Sequence, residues 1–265
     1  MPFIHKSKRP IYYRVWDNEQ PKANIVFFHG IGEHSGLYHR FAHAQNSHGY
    51  RVWAIDHTGH GHTSGFLEEA YDVFGLAENA IQLLQVVNSR DNLPIVLMGH
   101  SLGGVMASLL VSEEKSLSIA GLILTGTPLD PIPELGDLNS IDMSLDPGYL
   151  DELSVDPLIP QEEINFSKLN KGLARAQDVI SSKIDTWSFP VLFLNGEADP
   201  IAPPIWARKW ASRVTSGRAI EIRNGHHDLI NDLNHATVSQ LVSSFVYEVT
   251  SKEILKHLTV AEVEK

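Results

Sequence analysis

Pro94-Ile95-Val96-Leu97-Met98 runs directly into Gly99-His100-Ser101-Leu102-Gly103-Gly104, and Val105, Leu109 and Leu110 follow at helical spacing. The pattern is G-x-S-x-G between a strand and a helix. So sharp a turn leaves no room for side chains beside the serine, so glycines flank it and the Ser101 hydroxyl stands alone at a strand's carboxyl end. A serine hydroxyl is a weak nucleophile at neutral pH and needs a base that a carboxylate orients. With this kind of turn the order along the chain is serine, acid, histidine. Both partners occur downstream. Asp199, in Asn195-Gly196-Glu197-Ala198-Asp199-Pro200, follows the apolar run Val191–Leu194 and is the candidate acid. Asn224-Gly225-His226-His227-Asp228 follows the run Ala219–Ile222 and offers either His226 or His227 as the base. The chemistry expected is acyl transfer through a serine nucleophile. Its tetrahedral intermediate needs two backbone N–H donors: Leu102, next after the nucleophile, is expected to supply one, and Ile31, in His29-Gly30-Ile31-Gly32-Glu33, the other.

Such groups meet only if several strand ends converge. Six short apolar, β-branched runs, Asn24–Phe28, Tyr50–Ile55, Pro94–Met98, Ile119–Thr125, Val191–Leu194 and Ala219–Ile222, alternate with segments of helical period. Asp72–Arg90 carries Val73, Leu76, Ala80, Leu83, Leu84 and Val87 on one face, and the last helix, near Asn234–Leu258, carries Val238, Leu241, Val242, Phe245 and Val249. This alternation predicts an α/β fold with a mostly parallel central sheet flanked by helices. The rhythm breaks between Pro128 and Pro190, where seven prolines interrupt a segment too long for a plain crossover. We expect a core of residues 1–127 and 191–265 with a cap inserted at 128–190. The cap holds twelve acidic and four basic residues, a balance of −8. Its Leu129, Leu158, Ile159 and Phe166 are candidates for binding an apolar substrate chain.

Composition narrows the functions further. The 265 residues, 43% hydrophobic and 20% charged, can bury a large core and remain soluble. Lys plus Arg number 21 against 32 Asp plus Glu, a net charge of −11, which repels a phosphate backbone and argues against nucleic acid as a partner. The absence of cysteine excludes disulfides, thiolate metal sites and a cysteine nucleophile. The N-terminus has charges where a signal peptide needs an apolar region, and no apolar stretch approaches 18 residues, so a cytoplasmic protein is expected. Two rival sites read poorly. Gly30-x-Gly32-x-x-x-Gly36 has the wrong spacing for a dinucleotide loop and puts Glu33 beside a pyrophosphate. His57, His60 and His62 lack the further aspartate and histidine of a di-zinc site, so no metal is expected there, and the simpler role is a turn supporting the oxyanion loop.

His29-Gly30-Ile31-Gly32-Glu33-His34-Ser35-Gly36-Leu37-Tyr38, Asp56-His57-Thr58-Gly59-His60-Gly61, the Ser101 motif and His227-Asp228-Leu229-Ile230-Asn231-Asp232 resemble the monoacylglycerol lipase and lysophospholipase family of α/β-hydrolases, which are serine aminopeptidase S33-like. The resemblance runs from about Ala23 to Phe245, and Asp156-Pro157-Leu158 is similar to a cap motif of these enzymes. It implies an α/β-hydrolase fold and a serine ester hydrolase of single-chain acyl esters, with no cofactor and a mobile apolar cap that could touch lipid aggregates transiently. It also implies Ser101 as nucleophile, Asp199 as acid, His227 rather than His226 as base, and the N–H groups of Ile31 and Leu102 as oxyanion hole. The family's usual arginines after Asp-His and after Gly-His-Gly are Thr58 and His62 here, and its His-Glu ending is His227-Asp228. The alternatives are a hydrolase of another small ester, thioester or amide, or the same fold kept as a binding module.

Overall fold

The computed structural model describes residues 2–5, 9–132 and 141–263, with side chains described as far as Ser251. Eight strands form one sheet: β1 (Phe3–Ile4), β2 (Ile11–Trp16), β3 (Ala23–Phe28), β4 (Tyr50–Ile55), β5 (Ile95–His100), β6 (Gly121–Thr125), β7 (Val191–Gly196) and β8 (Gly217–Ile222). Their order is β1-β2-β4-β3-β5-β6-β7-β8. The six strands from β4 to β8 in that order run parallel, and β1 and β2 add an antiparallel edge. The six expected runs are these six parallel strands. The edge strands were not among the expected runs, although Ile11-Tyr12-Tyr13-Arg14-Val15-Trp16, with one charge among β-branched and aromatic residues, is of strand-forming composition.

Side-chain alternation divides the interior into two cores, one on each face of the sheet. Val26, Phe28, Leu97, Leu122, Leu124 and Phe193 point to one face, covered by helices α2 (Val73–Arg90), α3 (Leu102–Glu113), α5 (Phe166–Lys183) and α6 (Pro204–Ala211). Ile25, Phe27, Val96, Met98, Ile123 and Leu192 point to the other, covered by α1 (His39–Ser47) and α7 (His235–Val263). Phe27 and Phe28 are both fully buried, each contributing about 1.5–3 kcal/mol relative to exposure. Helix α3 is apolar on nearly every side, as a helix must be when it lies under other helices and against the central strand.

The segment between β6 and β7 has two parts. Helix α5 begins behind Asn165, whose Oδ1 accepts the Lys168 N–H at 3.0 Å, and buries Leu169, Leu173, Ala176 and Ile180 in the same core as α2 and α3. It is the crossover that parallel neighbours β6 and β7 require. The remainder, with α4 (Pro147–Val155), lies over the carboxyl ends of the strands. Asp146 Oδ1 caps α4 through the Tyr149 N–H at 3.1 Å, with Pro147 in its first turn. Residues 133–140 of the expected cap lie outside the described residues. No helix among the described residues is long and apolar enough to cross a membrane.

Candidate active site

The turn from β5 into α3 is set by backbone contact. A Cβ on Gly99 would lie 2.4 Å from the Gly103 carbonyl oxygen, and one on Gly103 would lie 2.2 Å from that of Phe28, so neither position tolerates a side chain. Ser101 adopts φ +49°, ψ −120°, a conformation that costs a non-glycine residue about 1–3 kcal/mol and persists where surrounding structure enforces it. Here the Ser101 N–H donates to the Thr125 carbonyl on β6 at 2.9 Å, and the Ser101 carbonyl accepts from Gly104 and Val105 in the first turn of α3. The hydroxyl is thereby held above the sheet.

The loops after β7 and β8 bring the other two groups to it. His227 Nε2 lies 3.0 Å from Ser101 Oγ, and His227 Nδ1 lies 3.0 and 2.9 Å from the two Asp199 oxygens. Asp199 Oδ1 also accepts the N–H groups of Ile201 and Ala202 at 2.8 and 2.9 Å. Burial by itself would raise the Asp199 carboxyl. The charge and hydrogen bond of His227, with the two N–H donors, outweigh it and hold the group below its ordinary value. It therefore stays ionised and keeps the proton of His227 on Nδ1. The adjacent histidine turns away: His226 Nδ1 and its backbone N–H both meet Asp232 Oδ2, at 2.9 and 2.8 Å.

Leu102 is the first residue of α3, so its N–H has no intrahelical acceptor. The loop of Gly30 and Ile31 lies against the serine, close enough that a Cβ on Gly30 would be 3.2 Å from Ser101 Cβ. Neither the Ile31 nor the Leu102 N–H has an acceptor among the described residues. Both residues line the cavity onto which Ser101 opens.

A buried polar cluster underlies this arrangement. His100 Nε2 is 3.3 Å from Asp228 Oδ1 and 4.0 Å from Glu33 Oε1, while its Nδ1–H donates to the Thr125 carbonyl at 3.1 Å. Burial would depress His100, but the carboxylates of Glu33, Asp228 and Asp199 together lift it to about 9. Burial pushes Glu33 up from its ordinary value; its Oε2 accepts from Tyr38 Oη at 2.6 Å and from the Gly30 N–H at 2.5 Å. Tyr149, from α4, donates to Asp228 Oδ2 at 3.2 Å. His100, His227 and Asp228 each present a ligand atom within 4.8 Å of the others. A cation there would have to displace the proton on His100 and the hydrogen bond between His227 and Ser101, so the donor set suits a metal poorly. The contacts of Glu33, His100 and Asp228 with one another carry no sequence signal, although all three stand inside the motifs. Tyr149 carries no signal of its own.

Ser101 and His227 open on a cavity of about 270 Å³. Ile159 and Phe166 line it, together with Leu67, Ile132, Met143 and Ile164. Leu129 and Leu158 do not. Leu129 is buried in the core beneath the cavity, and Leu158 sits half-exposed in a turn closed by its N–H donating to Asp156 Oδ1 at 2.8 Å. An apolar residue type does not tell core, turn and cavity apart.

The chain is similar to several known proteins. The monoacylglycerol lipase of Mycolicibacterium smegmatis is 25% identical over 269 residues, spanning 89% of this chain and 92% of that one. The human monoglyceride lipase is 27% identical over 270 residues, spanning 93% and 87%. The crystal structure of the Paleococcus ferrophilus monoacylglycerol lipase superposes with a TM-score of 0.71 at 22% identity, over 90% of this chain and 99% of that one, a likeness of fold. Residues 19–234 match the family described as serine aminopeptidase, S33. With its sheet order, strand-end loops and G-x-S-x-G turn, the chain belongs to that family of α/β-hydrolases.

Proposed function

We propose that the protein hydrolyses single-chain carboxylic esters, monoacylglycerols or related small esters, through an acyl-enzyme on Ser101. One observation carries the reading: the continuous line from Ser101 Oγ through His227 to Asp199 opens on an apolar cavity beside two free N–H groups. As Ser101 Oγ bonds to the ester carbonyl carbon, His227 Nε2 takes its proton, and Asp199 stabilises the imidazolium. The carbonyl oxygen becomes an oxyanion held by the N–H groups of Ile31 and Leu102, a kind of interaction worth about 2.7–4 kcal/mol per donor. Collapse breaks the bond to the alcohol, which leaves with the proton from His227. Water then repeats the sequence on the acyl-enzyme, releasing the acid and restoring Ser101. At about 270 Å³ the cavity is near the small end of ligand sites, which supports one acyl chain over two.

Leu150 and Val155 on α4 and neighbouring Leu145 are exposed, which supports transient contact of the cap with lipid aggregates. The test of the function is hydrolysis of p-nitrophenyl esters and of monoacylglycerols of graded length, with a fluorophosphonate as probe. Ester turnover and mass-labelling of Ser101 are expected. A folded protein that neither turns over any of these esters nor takes the label would overturn the reading.

A further inference from the structure

Three buried histidines outside the Ser101–His227–Asp199 line surround the loop that carries Ile31. The His57 N–H donates to His29 Nε2 at 3.0 Å, so that nitrogen is bare and the His29 proton is on Nδ1, which donates to the Gly30 carbonyl at 2.7 Å. The Gly32 N–H donates to His60 Nε2 at 2.9 Å, so the His60 proton is on Nδ1 and donates to the Thr58 carbonyl at 3.0 Å. His57 Nε2–H donates to the His29 carbonyl at 3.0 Å. The backbone pattern thus allows each ring one neutral tautomer.

These bonds bear on successive peptide planes. The Gly30 carbonyl and the Ile31 N–H belong to one trans peptide and point in opposite directions. With the carbonyl drawn to His29, the N–H points away from that ring, and Ile31 lines the same cavity as Ser101. The plane before it is held by the Gly30 N–H on Glu33 Oε2, and the plane after it by the Gly32 N–H on His60. Gly32 sits at φ +80°, a conformation open to other arrangements, so the His60 acceptor selects one of them.

We propose that His29 and His60 are positioning residues that fix the Gly30–Ile31 peptide, aiming the Ile31 N–H at the developing oxyanion. The inference rests on the serine ester hydrolase reading. A protonated His60 would oppose a donor to the Gly32 N–H, and burial keeps that form away: His60 is lowered to about 4, His57 to about 3, and His29 lies well below its ordinary value. A rigid, neutral acceptor fits preorganisation, in which the donor costs no rearrangement when charge develops.

The test is His60→Leu, which removes the acceptor, beside His60→Gln, whose side-chain oxygen can take its place. Each is measured for kcat and KM on a soluble ester and for affinity toward a trifluoromethyl ketone, which forms a hemiketal oxyanion with the serine. Removing an oxyanion donor outright costs about 10²–10³-fold in kcat, so misaiming one is expected to cost His60→Leu about tenfold to a hundredfold. KM should change little, ketone affinity should fall in step with kcat, and His60→Gln should recover most of both. Should His60→Leu fail to fold, His60→Asn, too short to reach Gly32, is read in the same way. Unchanged kcat in a folded variant, or kcat and KM worsening together without rescue by glutamine, would overturn the proposal. Ser101→Ala separates the two readings: if it stays active the hydrolase reading itself fails, whereas an inactive Ser101→Ala beside a fully active His60→Leu removes only the positioning role.

Discussion

The turn at Ser101 and the wall of the cavity contributed by 141–165 are built by different forces. From Ile95 to Gly104 every residue is buried, and position is dictated by backbone lying on backbone, as at Gly99 and Gly103. The wall is held by the buried Tyr149 side chain, by apolar contacts of Met143 and Ile164 with the core, and by polar tethers. Its N-terminal part hangs on the loop after β8, through the Asp228 N–H to the Met143 carbonyl at 2.8 Å, the Leu145 N–H to Asp232 Oδ1 at 2.8 Å and the Ser144 hydroxyl to the Asn231 carbonyl at 3.2 Å. Its C-terminal part hangs on the Leu67–Tyr71 turn, through the Leu67 N–H to Glu162 Oε2 at 3.2 Å and the Asn165 N–H to Tyr71 Oη at 2.9 Å. His34 Nε2 and Asp156 Oδ2, 2.9 Å apart, join the wall to the oxyanion loop's continuation. Each such bond contributes about 0.5–1.5 kcal/mol net, and apolar packing of Tyr149, Met143 and Ile164 adds to them, whereas the nucleophile's turn is fixed by backbone packed on backbone.

The largest effect should come from the rigid region. Ser101→Ala is expected to lower turnover about 10⁶-fold with little loss of thermal stability, because it relieves no buried bond except that to His227. A folded variant keeping a tenth of the activity in an ester assay would refute the role of Ser101. Next, His227→Ala should lose nearly all turnover, while His226→Ala, which disturbs only the Asp232 contact, should lose less than about tenfold, by the scale of a group remote from the reacting atoms. Reversed effects in parallel kinetics would exchange their roles.

A smaller effect is expected at the cavity wall. Three of the segment's twelve acids are paired with basic side chains: Asp146 with Arg40 at 2.7 Å, Asp130 with Lys209 at 2.6 Å and Asp185 with Arg213 at 2.6 Å. Glu162 lines the cavity, with Glu33 and Asp228 from the core. A neutral monoacylglycerol should therefore be preferred over an anionic ester of equal chain length by roughly tenfold in kcat/KM at low salt, the margin narrowing at high salt. Equal rates at low salt would show that these carboxylates do not meet the substrate.

A further effect is expected on stability against pH, and it belongs to the core. Below its ordinary value near 6.5 His100 is protonated in both states, but the folded protein holds that proton up to about pH 9, so stability falls as pH rises from 6.5 through 9. His57 and His60, lowered to about 3 and about 4, act oppositely: the unfolded chain binds protons that the folded one refuses, so stability falls as pH drops from 6.5 toward 4. Thermal melting should peak near neutrality, and His100→Gln should flatten the alkaline limb. A melting temperature that rises between pH 7 and 9 would contradict the assigned charge of His100.

What the sequence determined is what a short stretch of chain can encode. The six parallel strands are continuous apolar runs, the turn at Ser101 is spelled by residues 99–103 and partly set by Gly99 lying on Gly103, and Asp199 and the His226–His227 pair follow shortly after strand ends. Local sterics and burial act within such windows, so residue type and spacing report them. The choice between His226 and His227 came from likeness to a family, and in space it depends on Asp232 drawing one ring away while Asp199 draws the other in. Only the tertiary structure brought together Glu33, His100, Tyr149 and Asp228, which lie far apart in the chain and meet where three strand ends and α4 converge. It alone also assigned α5 to the core, and Leu129 to the core and Leu158 to a turn instead of the cavity. Hydrophobicity specifies that a side chain leaves water. Which apolar surface it then meets depends on the packing of segments that no local pattern relates.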